Sequence, residues 1–403
     1  MIMGKSWSLL ALALFAFAGA CDETGDDEGL ISSRSYKGHE SDLDSNNFVT
    51  IYRHALGTRL DDCQTCHKGD TFSYGTGDDL RSVYVNACDY CHLIQHPQGD
   101  YIFNEPQPTG YGDTLNPYGL DYREAGRDQE ALRQIGGDDS DGDTHANADE
   151  IADLKYPGDP LSMPGQPVAP RQVYTRSDLS GLPQHSQFLL VNSHRQQFDS
   201  YATYGGVRVR DLLEASGVDL SDPAITGVSL VAPDGYVKTF TLDDVTTQFP
   251  NGLFYDGLDD LGSADCNFVS YPDSLPAGLT DGGEIPDAQW LLLASERDGE
   301  AMQSVNLDPS SGRINGEGPL RIVVPQSLPG SPDRGSNYSP TTCNDGWDYD
   351  ESKDHNAGAM VRGVIAVRVD PLPEGFEDFD HKNDGWPLVY QDSVVVYGQG
   401  VEP

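Results

Sequence analysis

Between Asn46 and Tyr122 the chain carries two Cys-x-x-Cys-His runs, CQTCH at 63–67 and CDYCH at 88–92. They lie in a background of Asp, Gly, Asn and Pro whose apolar residues come only in short patches, VTIY, RSVYV and YIF. A segment of this make-up buries too little apolar area to offset its conformational entropy. The group held by these cysteines and histidines must supply part of the missing core, so its binding and the folding of the segment are expected to be one event.

Three chemistries use such runs. A thioredoxin-type redox pair follows a buried strand and opens a helix, and RLDDCQTCHKGDTFSYG offers no such strand. A zinc ion held by two cysteine pairs gives no role to the histidine after each pair. Covalent c-type haem uses every residue: Cys63 with Cys66 and Cys88 with Cys91 form the thioethers, and His67 and His92 are the proximal iron ligands. Two c-type haems are therefore expected. The candidate second axial ligands are His54 and His96, while His39 lies in the polar entry segment and no methionine stands between Met3 and Met163. Two histidines on each iron leave no open coordination position and point to electron transfer.

The start of the chain, MIMGKSWSLLALALFAFAGACDE, has the layout of a secretory signal over residues 1–20, with an apolar run too short to span a bilayer. Gly19 and Ala20 before Cys21 resemble a lipobox, which makes Cys21 a lipidation site and 21–45 a polar linker from the membrane. Several acyl chains would anchor the chain stably. The expected location is the cell envelope, facing the periplasm or the cell surface. Of seven cysteines, Cys21 and the two pairs leave Cys266 and Cys343, which outside the cytoplasm most simply form a disulfide. The net charge of −40 argues against nucleic acid and against binding anionic lipid by charge; the haem reading makes redox proteins of the envelope the expected partners.

TLNPYGLDYREAGRDQEALRQIGG reads as one or two helices. After it, Asp139, Asp141, Asp143, Asn147 and Glu150 occupy places one, three, five, nine and twelve of an EF-hand-like loop over 139–150, with His145 offering a carbonyl at place seven. Calcium is the expected occupant, although the glycine stands at place four, as Gly142, rather than six. The diheme module so defined runs over 46–155. A proline-rich linker, 156–171, is expected to be extended and to separate it from a second domain over 172–403.

That second domain reads as β-rich α+β. A helix with Leu212 and Leu213 buried ends at Gly217; Val228 and Leu230 alternate before a hairpin turn at 233–235; QWLLLASERDGEAM, GPLRIVVPQ, VRGVIAVRVDP and DSVVVYGQG supply further strands. These runs, with GGVRVRDLLEASGV, resemble the molybdopterin-binding domain of the sulfite oxidase class. Two CxxCH runs, the acidic loop and Gly316-Glu317-Gly318-Pro319 together resemble the bacterial GEGP motif-containing diheme proteins. The first resemblance implies a mixed α/β fold around a pterin whose molybdenum is held by a cysteine thiolate. The corresponding stretch here, FLLVNSHRQQFDSYATYGG, has no cysteine and offers only His194 and Arg195, so the domain is read as an accessory domain without molybdopterin.

The expectation is thus a multidomain chain: a small, mainly irregular and α-helical diheme cytochrome c module followed by a sulfite-oxidase-like α+β domain, passing electrons in the bacterial cell envelope. Two alternatives stay open. One is a molybdopterin-dependent oxidoreductase with a haem relay; the other is a structural or surface protein stapled by haem and calcium.

Overall fold

The computed structural model describes residues 43–74, 81–95, 103–193, 199–259, 269–307, 314–333 and 350–402. Cys21, His39, His96, His194, Arg195, Cys266 and Cys343 lie outside these residues, as do the signal, the lipobox and most of the entry segment.

The chain is α+β. Its first part contains α1 (Leu43–Ile51), the hairpin β1 (Asp70–Tyr74) and β2 (Arg81–Val85), α2 (Ala87–Gln95), α3 (Pro117–Glu124), α4 (Gln129–Ile135) and α5 (Asn147–Ala152). The patch VTIY falls in and just after α1 rather than in a strand. Helices α3 and α4 start where Asn116 and Asp128 cap them, each accepting a bond from a backbone N–H three residues on. Phe48, Tyr118, Tyr122, Leu132 and Ile151 make a small core among α1, α3, α4 and α5, with Cys66 packed against its edge.

The second part holds two sheets. One runs β3 (Arg171–Thr175), β15 (Ser393–Gly398), β14 (Ala366–Asp370), β6 (Gly227–Val231) and β7 (Val237–Thr241). The other runs β10 (Glu300–Ala301), β9 (Leu292–Arg297), β5 (Asp199–Arg208) and β4 (Gln184–Val191), with β13 (Arg321–Val323) on β9 and β8 (Val269–Ser270) on β5. A short pair, β11 (Asn306–Leu307) and β12 (Ile314–Asn315), stands apart from both. Among the described strands, β14 with β15 and β5 with β8 pair in parallel. The first is joined through α7 (His381–Tyr390), α6 being Val209–Ala215, as parallel neighbours require a crossover.

The period of two along each strand decides which side chains meet. Val394 and Val396 of β15 face the main core with Leu189, Tyr204, Val228 and Val367; Val395 and Tyr397 face the opposite layer. Burial on both faces is why Val394 to Tyr397 form an unbroken apolar run. The hairpin β6–β7, its turn at Gly235 with φ +79°, and the end of α6 at Gly217 with φ +85° sit where the turn and cap residues of the sequence place them.

The two parts are not held apart by the linker. Phe72, Val85, Tyr90 and Leu93 of the hairpin and α2 share one core with Trp386, Val389, Val395 and Tyr397. The linker itself is pinned: Val168 pairs with Glu377, whose N–H donates to Pro167 O at 2.9 Å. Glu377 accepts two bonds from Arg59, at 3.0 and 3.1 Å, and one from Lys155 at 2.6 Å. The expectation of a spacer fails because apolar side chains scattered over 72–93, each too sparse to form a core of its own, find cover on the far side of β15. Among the described residues no helix is long and apolar enough to cross a membrane.

Candidate metal centres

The first Cys-x-x-Cys-His run forms a 3-10 turn, Cys63–Thr65, capped by Asp62, whose carboxylate accepts from Gln64 N at 3.2 Å. The backbone of Cys66 and His67 donates back to Cys63 O at 3.1 and 2.9 Å, so both cysteines and the histidine leave one tight turn. Asn116 holds that turn from outside. Its N–H donates to Cys66 O at 3.0 Å, its side-chain amide donates to Gln64 O and Thr65 O at 3.1 Å each, and its side-chain oxygen caps α3. Gly119 is required beside it, since a Cβ there would lie 2.1 Å from Cys66 O.

The His67 ring is oriented by Thr114. Nδ1 lies 2.8 Å from Thr114 Oγ1, and that hydroxyl already donates to Tyr111 O at 2.9 Å. With its proton committed, the threonine oxygen can only accept, so Nδ1 carries the hydrogen and Nε2 carries the lone pair. An imidazole ligand to iron needs this tautomer, fixed by a hydrogen bond on its other nitrogen. The sequence contains no local signal for Thr114, which is forty-seven residues away.

The second run lies on α2, which places Cys88, Cys91 and His92 at positions i, i+3 and i+4 of one helix face. Cys91 is buried, whereas the side chains of Cys88 and His92 are outside the described set. Helix α2 packs against both the Cys63–Thr65 turn and the turn Tyr111–Thr114, so the two runs are neighbours in space. A cleft of about 390 Å³ lies beside the first turn, walled by Arg59, Asp62, Gln64, Arg171, Phe379 and Asp384. Burial pushes the Asp62 carboxyl up to about 7 and that of Asp384 up to about 6, their neighbouring acids adding to the shift. His54 is engaged elsewhere. Its Nε2 lies 2.9 Å from Ile151 O, a carbonyl that can only accept, so this nitrogen is an N–H and cannot at the same time bind iron.

The acidic loop folds between α4 and α5. Asp139 accepts from Gly142 N and Thr144 N, at 2.7 and 3.0 Å, and carboxylate oxygens of Asp139, Asp141 and Asp143 come within 4.8 Å of one another. Gly142 and Thr144 both take left-handed backbone, φ +84° and +86°. The glycine that the sequence shows at place four is thus accompanied by a threonine doing the usual work of a glycine at place six, in a conformation a β-branched residue rarely adopts. Glu150 is wholly buried, and burial followed by repulsion from Asp141, Asp143 and Asp139 pushes its carboxyl up to about 8. Asn147 does not face this group. Its Oδ1 accepts from Ser140 N, and its Nδ2 donates to Ile135 O and Ser140 Oγ, so its amide closes the loop.

Two clusters in the second part escape sequence reading. Glu317 of the GEGP run pairs with Arg297 at 2.6 Å and Arg321 at 2.9 Å, and both guanidinium groups lie over Tyr204. Gly316, φ +87°, makes the turn, and Gly318 lies so close to Met302 and Gln303 that no larger residue fits. The motif is a structural clamp before the buried strand β13. At the end of β4, His355 Nε2 meets Asp333 at 2.8 Å, and Ser193 N donates to Asp199, whose carboxyl burial pushes up to about 7. The donors described around this second cluster are carboxylate, amide and imidazole.

A scan against protein-family models finds no match to this chain, and a comparison with curated proteins finds none either.

Proposed function

We propose that the chain is an exported, lipid-anchored diheme c-type cytochrome that transfers electrons in the cell envelope. The observation that carries this reading is the His67–Thr114 hydrogen bond, which prepares the one nitrogen an axial ligand would use. Cys63, Cys66, Cys88 and Cys91 are the attachment thiols, and His67 and His92 the proximal ligands. Bound haem supplies a one-electron couple. Thr114 sets the tautomer and orientation of His67, and Asn116 and Gly119 hold the attachment turn against α3. Packing of α2 on the first turn brings the attachment points together, which favours exchange of electrons within the chain. His96 is the candidate second axial ligand, whereas His54 is held by Ile151 O.

On this reading the second part is a sulfite-oxidase-like accessory domain that docks or orients the module. The charge of −40 selects a partner with a basic face, whose approach would slow as salt rises.

The adjacency of the two cysteine pairs favours one competing reading, a single zinc ion held by four thiolates. Pyridine haemochrome spectra and metal analysis of the mature protein, expressed with haem maturation, separate the two. Two covalent haems per chain support the cytochrome; one zinc and no covalent haem would replace it. Molybdenum in stoichiometric amount would revive the oxidoreductase reading.

A further inference from the structure

We propose that residues 139–150 bind one Ca²⁺ and that the bound ion clamps the first part of the chain onto the second. The haem reading plays no part in this argument. The aspartate cluster alone would be unremarked, since acidic groups gather on many surfaces. What distinguishes it is Glu150, which is 0% exposed and has no hydrogen-bond partner on either carboxylate oxygen. Asp141 Oδ2 and Asp143 Oδ2 are likewise buried without a partner. Unpaired carboxylate oxygens in a dry site are among the costliest groups a fold can hold, and their costs add through mutual repulsion. A cation among them removes both penalties.

The donors select its class. All are oxygen: Asp139, Asp141, Asp143 and Glu150, with the His145 carbonyl as a further candidate. Such a set excludes ions that prefer sulfur or nitrogen. Mg²⁺ demands near-ideal octahedral geometry and retains several waters, whereas Ca²⁺ accepts an irregular cage of protein oxygens. The left-handed turns at Gly142 and Thr144 bring Asp139, Asp141 and Asp143 round a common centre. Asn147, engaged with Ser140 and Ile135, leaves place nine without a protein ligand, a place that EF-hands often fill through water.

The clamp follows from where Glu150 sits. It belongs to α5, whose Ile151 is buried in the first core and whose Ile151 O holds His54. Lys155 N donates to Glu150 O at 2.8 Å, and Lys155 Nζ crosses to Glu377 of the second part at 2.6 Å. An ion that fixes Glu150 therefore fixes the end of α5 from which Lys155 reaches across.

The test uses the full mature chain, titrated with CaCl₂ after chelation and followed by isothermal calorimetry, by thermal melting and by the rate of protease cutting in 156–171. MgCl₂ at equal concentration is the control. One Ca²⁺ per chain, a higher melting temperature and slower cutting are expected, all lost in Glu150→Gln. The same variant should melt above the wild type in chelator, because it removes a buried unpartnered charge; this keeps its loss of binding from being mistaken for misfolding. The site is overturned by absence of calcium binding at about millimolar concentration, where extracellular calcium modules are loaded. Wild-type affinity in Glu150→Gln, or equal binding of Mg²⁺, would also overturn it. Binding without slower cutting would overturn the clamp.

Discussion

Replacing Glu377 by Gln keeps the volume of the side chain and removes its charge. In the folded chain this carboxylate is 8% exposed and is met by Arg59, 22% exposed, and Lys155, 3% exposed, at 3.0 and 2.6 Å. Arg59 can turn to water when the charge goes; Lys155 cannot, and its ammonium would stay buried with only neutral acceptors such as Gln166 O. Removing one partner of such a buried pair costs about 3–5 kcal/mol, against at most about 1 kcal/mol for an exposed pair. A loss of that size is a large share of the stability of most domains. Because Glu377 joins the two parts, the loss should also appear as a change of cooperativity. Urea unfolding followed by tryptophan fluorescence should show an earlier midpoint and a transition that broadens or splits. The double variant Lys155→Met with Glu377→Leu, which leaves no buried charge, should recover most of the loss. Acid is a second probe. Burial alone would raise the Glu377 carboxyl, but Arg59 and Lys155 outweigh it and hold it below its ordinary value. Its stabilisation is present above the ordinary glutamate range and is lost as pH falls through the lower native value. A cost under about 1 kcal/mol for Glu377→Gln, the range of surface pairs, would refute the reasoning.

Thr114→Val removes the acceptor at His67 Nδ1 without changing shape. One haem should then show a raised reduction potential, since a less electron-rich imidazole stabilises ferric iron less; a redox titration identical to wild type would exclude the orienting role. His54→Ala should cost about 1 kcal/mol from the lost bond to Ile151 while leaving the low-spin spectrum intact. A high-spin signal in that variant would instead make His54 an axial ligand. Burial raises Asp62 and Asp199 to about 7 and Asp384 to about 6, so between pH 5 and these values the folded chain holds protons that the unfolded chain has released. Stability should fall as pH rises through that window, the three acids outweighing the lowered imidazole of His381, and a rising melting temperature over it would refute the assignment.

What could be read in the sequence is what short-range covalent geometry settles. Spacing within one turn or helix puts Cys63, Cys66 and His67, or Cys88, Cys91 and His92, within reach of one group whatever the rest of the chain does. The same holds for Asp139, Asp141 and Asp143, for Gly217 ending its helix, and for the turn of β6 and β7. Short runs rich in β-branched residues likewise announce β14 and β15, because strands buried on both faces take such residues. Tertiary structure decided the partners. Thr114 reaches His67 across forty-seven residues, Glu377 reaches Lys155 across two hundred and twenty-two, and Glu317 finds Arg297 and Arg321 only when β9 and β13 pair. Asn147 shows the division within a single loop: its position in the sequence offers an oxygen to a cation, yet the packing of Ser140 and Ile135 around it takes that amide to close the loop. The side-chain chemistry on offer is local, whereas which group meets which depends on how sheets and helices distant in sequence bury their apolar faces together.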